Sequence, residues 1–129
     1  MELPCRRFGR TNIKMPVLSL GGMRFQKSWE ELNSSEISHH EQKKIENILK
    51  LANKYGFSHV ETAKYYGTSE VQLGMGFKSL DKVPRILQTK IPPNSDSIIF
   101  EEYIKFWNKN NYFLGLSNFS LITKGVINN

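Results

Sequence analysis

At 129 residues, 39% of them hydrophobic and 12% aromatic, the chain has the material for one globular domain with its own core and is not disordered by composition. Its formal net charge is +6, but Lys and Arg are scattered without a run of five or more, which reads as solvated helix faces rather than a nucleic-acid patch. The single cysteine, Cys5, cannot form an internal disulfide, no Cys/His spacing offers a metal site, and no window approaches the roughly 18 apolar residues of a membrane span.

Arg6 and Arg7 precede no apolar leader region, and a lone cysteine suits a reducing compartment, so a soluble cytoplasmic protein is expected. Residues 6–18 hold Gly9-Arg10-Thr11-Asn12 between two short alternating pieces, Arg7-Phe8 and Ile13-Lys14-Met15, which predicts a β-hairpin ended by Pro16. Val17, Leu18 and Leu20 then predict a first buried strand near residues 17–20. Gly21 and Gly22 end it and permit close approach of the backbone to another group. Residues 24–38 lack a period and predict a loop with Trp29 and Leu32 against the body. Ser38 opens a helix near residues 39–55. Its apolar stripe is Ile45, Ile48, Leu49, Ala52 and Tyr55, and Gly56 sits where a helix stop is expected. His39 and His40 fall in its first turn with no acidic or Cys partner at ligand spacing, so they read as surface or capping residues.

Residues 57–61 predict a second strand that delivers a carboxylate, Glu61, to the edge of a sheet beside the small residues Thr62 and Ala63. A loop with Tyr65 and Tyr66 follows. Gly67 turns the chain, Thr68 or Ser69 can cap a helix near residues 69–77, and Glu70 lies in its first turn, where the helix dipole favours negative charge. Residues 85–89 predict a third strand running into Lys90. A helix is expected near 97–107, capped by Asp96, with Ile99, Tyr103, Phe106 and Trp107 on one face and a Glu101–Lys105 pair on another. Residues 112–116 predict a fourth strand and residues 121–127 a weak final segment. Strand then helix, repeated, implies an α/β fold with a parallel sheet.

The 57–74 stretch closely resembles the hallmark of the aldo-keto reductase family, D-T-A-x-x-Y-G-x-S-E-x-x-L-G: Thr62, Ala63, Tyr66, Gly67, Ser69, Glu70, Leu73 and Gly74 keep its spacing, with Glu61 in place of the usual Asp. Two further landmarks flank it in the family's order. They are Arg7-Phe8-Gly9-Arg10-Thr11 followed by Leu20-Gly21-Gly22-Met23, and Leu87-Gln88-Thr89-Lys90 downstream. The resemblance covers most of residues 6–92 and implies an eight-stranded (β/α)8 barrel. Such a barrel takes about 250 residues, so the expectation for residues 1–129 is one incomplete barrel domain, an N-terminal hairpin plus about four strand-helix units.

The resemblance also implies a site. Barrel active sites lie at the C-terminal ends of strands, and Glu61, Tyr66 and Lys90 are expected there as the catalytic positions. A tyrosine, with an ordinary pKa of about 10, serves as a proton donor near neutral pH when a cation lies beside it. Lys90 is the candidate cation and Glu61 its counter-ion, while NADPH would supply hydride to a small carbonyl substrate. Gly22, Met23, Glu61, Ser117 and Asn118 are the expected nucleotide contacts. The family's catalytic His at the fourth strand has no counterpart, because no His follows His59. Two alignments of the C-terminal part stay open. Gly115-Leu116-Ser117-Asn118-Phe119 matches the family's G-x-S-N-F at the fifth strand if a large deletion follows Lys90, whereas reading straight through makes residues 112–116 the fourth strand; the second needs no deletion and is preferred. Two functions follow: an aldo-keto reductase-type oxidoreductase completed by self-association or by a complementing chain, or a non-catalytic remnant that acts as a binding or interaction module.

Overall fold

The computed structural model describes residues 3–30, 32–80, 86–90, 101 and 113–116, the last four for their backbone alone. A two-stranded antiparallel hairpin opens the chain: β1 (Cys5–Arg7) pairs with β2 (Lys14–Pro16), with Arg6 opposite Met15. Thr11 closes its turn. The Thr11 N–H and hydroxyl both donate to Phe8 O, at 3.1 and 2.5 Å, and the Thr11 hydroxyl accepts from the Ile13 N–H at 3.2 Å.

Four parallel strands form the main sheet in consecutive order: β3 (Leu20–Gly21), β4 (His59–Glu61), β5 (Ile86–Thr89) and β6 (Phe113–Leu116). The first is shorter than expected. Val17 donates its N–H to Pro4 O and so prolongs the hairpin, which leaves Val17 and Leu18 about half exposed instead of in the sheet. Residues 113–116 lie directly beside β5, at the place expected of a fourth strand. The expected helix at 97–107, apart from Glu101, and the segment at 121–127 lie outside the described residues.

Helices α1 (His39–Lys54) and α2 (Ser69–Phe77) cover one face of the sheet. Ser38 caps α1 by accepting from the Glu41 N–H. At the far end Gly56 takes φ 81°, and the N–H groups of Gly56 and Phe57 reach back to Asn53 O and Ala52 O, the paired bonds of a glycine-terminated helix. The stripe that α1 buries is Gln42, Ile45 and Leu49, narrower than the apolar pattern suggests, because Ile48 and Tyr55 lie on a flank that neither the sheet nor α2 covers. Phe25, Ile45, Leu49, Val60, Leu73, Phe77 and Leu87 make the core, with Leu20 and Leu80 against it. Each such side chain contributes about 1.5–3 kcal/mol on full burial. Trp29, expected against the body, is 60% exposed; Phe25 and Ile37 are the buried apolar residues of that loop.

Strand alternation fixes the rest. Val60 and Leu87 point to the helices, so His59, Glu61 and Gln88 occupy the opposite face, which is the inner face when such a sheet curls into a barrel.

Candidate active site

Glu61 ends β4 and Lys90 follows β5, so both stand at the C-terminal edge of the sheet. The Lys90 Nζ forms an ion pair with Glu61 Oε1, donates to Thr62 O at 3.1 Å, and lies 4.6 Å from the centroid of the Tyr66 ring. All three expected catalytic residues are thus brought together. The lysine and glutamate side chains are 23% and 27% exposed, so the pair is largely withdrawn from water. Burial lowers the Lys90 pKa from its ordinary value, while a carboxylate in contact favours the charged form. The cation meets Tyr66 through the ring face, a geometry in which the quadrupole attracts it.

Backbone geometry holds this arrangement. The Thr62 N–H donates to Gln88 O at 2.7 Å and the Lys64 N–H to Lys90 O at 3.1 Å, which zips the loop after β4 onto the end of β5. Tyr66 sits in a tight turn whose N–H reaches Ala63 O and whose carbonyl accepts from the Ser69 N–H. Gly67 then adopts φ 50°, and a Cβ there would lie 1.8 Å from Ser28 O, so only glycine fits.

Thr68 and Ser69 are the expected caps of α2, but neither side chain caps it. Both are fully buried and serve other ends. Thr68 Oγ1 accepts from the Lys27 N–H at 2.5 Å and donates to Gln72 Oε1 at 2.7 Å, which ties the loop before α1 to α2. Ser69 Oγ donates to Gly22 O at 2.8 Å and lies 2.9 Å from Thr62 Oγ1. Glu70 Oε1 accepts from the Thr89 hydroxyl at 2.5 Å. Ser69 and Glu70, at positions that the family spacing marks, bind α2 to the strand ends, whereas Thr68 and Gln72 stand at positions that it leaves open.

Of the expected nucleotide contacts, Glu61 lies at the site and Met23 is 38% exposed just past β3. Gly22 is committed inside: its N–H donates to Glu61 O at 2.6 Å, its carbonyl accepts from Ser69, and a Cβ would meet Glu61 O at 2.9 Å. Packing of β3 against β4 and α2 therefore demands this glycine, and its polar groups are not free for a ligand. Ser117 and Asn118 lie outside the described residues. One polar residue on the inner face went unremarked in the sequence. His59, 5% exposed, contacts Ser19 and Gln88 beneath the ion pair.

No group of three or more His, Cys, Asp or Glu side chains able to hold a metal occurs among the described residues, and no described helix is long and apolar enough to cross a membrane. No match was found among curated protein sequences. Two solved structures share the fold. PA4992 of Pseudomonas aeruginosa, an aldo-keto reductase by assignment, is 23% identical with a TM-score of 0.54 over 70% of this chain and 35% of its own. The thermostable aldo-keto reductase Tm1743, crystallised with the inhibitor epalrestat, is 20% identical with a TM-score of 0.56 over 84% of this chain and 39% of its own. The chain therefore spans little more than a third of the length of either structure. The model of the Aldo/keto reductase family matches residues 17–120, most of the chain, and the chain belongs to that family.

Proposed function

We propose that Glu61, Tyr66 and Lys90 are the proton-donating part of an NADPH-dependent carbonyl reductase site, which works once the strands completing the barrel are supplied by more of the polypeptide, by self-association or by another chain. The observation that carries this reading is the Lys90 ammonium held between the Glu61 carboxylate and the Tyr66 ring at the C-terminal edge of a parallel sheet. Tyr66 gives its phenol proton to the carbonyl oxygen. Lys90 stabilises the phenolate left behind, and Glu61 together with Thr62 O keeps the ammonium in place.

The described residues fit one side of a nicotinamide nucleotide: Met23 presents an exposed apolar surface beside the strand end that carries Glu61, and nothing crowds a Cβ at Gly21. When bound, the nucleotide supplies hydride to the carbonyl carbon. Binding at Gly22 would have to come through neighbouring atoms, since its N–H and carbonyl are spent.

A fusion of this chain to the last four strand-helix units of Tm1743 tests the reading, with folding followed by circular dichroism and aldehyde reduction by NADPH absorbance. Turnover that falls by two or more orders of magnitude in Tyr66→Phe is expected. Turnover indifferent to Tyr66→Phe and to Lys90→Met would reject it. A non-catalytic interaction module is the second reading, favoured by one fact: no His follows His59 to help polarise the carbonyl.

A further inference from the structure

On the inner face of the sheet, two polar pairs repeat the same diagonal between β4 and β5. His59 reaches Gln88, and Glu61 reaches Lys90 two residues further along both strands. Gln88 Oε1 lies 3.1 Å from His59 Nε2 and only accepts, so Nε2 carries the proton; Nδ1 then accepts from the Ser19 hydroxyl at 2.7 Å. One buried, neutral imidazole thus bridges the residue before β3, β4 and β5, directly below the ion pair.

We propose that His59 is a positioning residue for the site, setting the stagger of β5 against β4 that carries the Lys90 ammonium to Glu61 and the Tyr66 ring. The inference rests on the functional reading above. The geometry supports it in three ways. Register pairs Glu61 with Gln88, so Lys90 lies two residues beyond that partner and reaches Glu61 along the same diagonal that the His59–Gln88 contact takes one layer down. The lower pair is specific in direction, since an imidazole N–H meets an amide oxygen. His59 is also buried beside a strand-end site without touching Tyr66 in any described contact, which is where a residue acting through others belongs. Among the described residues of β4 and β5 and the one that follows, the charged groups on its own face are Glu61 and Lys90. Burial lowers the His59 pKa, opposed by its bond to Gln88, in keeping with a neutral ring.

The test follows Lys90 itself in the intact chain, by NMR of 13C-labelled lysine side chains, with the Lys90 signal assigned from Lys90→Met. Nuclear Overhauser contacts from the Lys90 Cε protons to the Tyr66 ring are expected in the parent and in His59→Gln, whose amide can both donate to Gln88 and accept from Ser19. They should be lost in His59→Leu, with the Lys90 titration midpoint moving back towards that of a solvated lysine. Gln88→Leu, which removes the other end of the bond, should do the same and covers the case in which His59→Leu does not fold. Unchanged contacts and midpoint in a folded His59→Leu or Gln88→Leu would overturn the positioning role. Absence of the Lys90–Tyr66 contact in the parent would instead overturn the catalytic grouping from which it starts.

Discussion

At the scale of single residues, the site combines a neutral buried histidine with a largely buried ion pair, and the two respond differently to perturbation. His59 titrates below its ordinary value because burial penalises the imidazolium. Below about pH 6.5 the unfolded chain takes up a proton that the folded chain refuses, so the contribution is fully present above that pH and is lost as pH falls from about 6.5 towards the folded pKa. The expected outcome is a lower urea midpoint at pH 5.5 than at 7.5 in the parent, with a smaller difference in His59→Gln; equal differences would contradict it. Lys90→Met should destabilise by about 1–3 kcal/mol, because Glu61 then keeps a largely buried carboxylate without its cation. Adding Glu61→Gln should restore part of that loss, and a double-mutant cycle by denaturant unfolding reads the coupling. The grouping of Glu61, Tyr66 and Lys90 at one strand edge was legible because strand-end position and family spacing both mark them. His59 was not, since a histidine in a strand carries no periodic or motif signal, and its value depends on Ser19 and Gln88, which lie 40 and 29 residues away.

Elements tell a similar story about what a local pattern encodes. The bounds of α1 and α2 follow from the sequence because Ser38, Gly56 and Gly67 act within one turn of the residues they control. Burial of the α1 stripe was less legible. Ile48 and Tyr55 satisfy helical spacing, but which part of a broad apolar arc is covered depends on where α2 and the sheet lie; Gln42 is buried instead, since its Nε2 donates to Gln72 O at 3.1 Å. The same holds for Val17 and Leu18, apolar enough for a strand but claimed by the hairpin through a bond to Pro4. The turn before α2 offers a sharp test of local control. Gly67→Ala places a side chain on a left-handed residue and drives its Cβ into the Ser28 carbonyl, so the 28–29 segment must move. A loss of about 3 kcal/mol is expected, near the upper end for a single substitution, with the Tyr66 ring displaced from Lys90. Thermal unfolding measures the first effect and the Lys90–Tyr66 NMR contact the second; a loss under about 1 kcal/mol would show that the turn has slack that its close contacts do not suggest.

For the whole molecule the governing quantity is how much of a barrel the chain supplies. Among the described residues four parallel strands in consecutive order carry one edge of the proposed site, whereas a closed barrel draws its active site from loops after eight. The expected outcome is that the 129-residue chain alone shows no appreciable NADPH-dependent carbonyl reduction. Hydride transfer needs the nicotinamide held within near-attack distance of the carbonyl, a positioning contribution that can reach about 7–11 kcal/mol. The described residues offer Met23 and the surroundings of Glu61 to that end, and Gly22 spends its polar groups inside the fold. On the proposed reading, the residues after His59 include no histidine to polarise the carbonyl, a class of interaction worth about 2.7–4 kcal/mol in other enzymes. Since about 1.4 kcal/mol is a factor of ten in rate, even the smaller loss costs roughly two orders of magnitude. Fluorescence titration of NADPH into the purified chain, followed by absorbance assays with aldehydes and quinones, decides the matter. Saturable binding with turnover abolished by Tyr66→Phe would show that Glu61, Tyr66 and Lys90 suffice on four strands, and would place the positioning of the nucleotide within this chain.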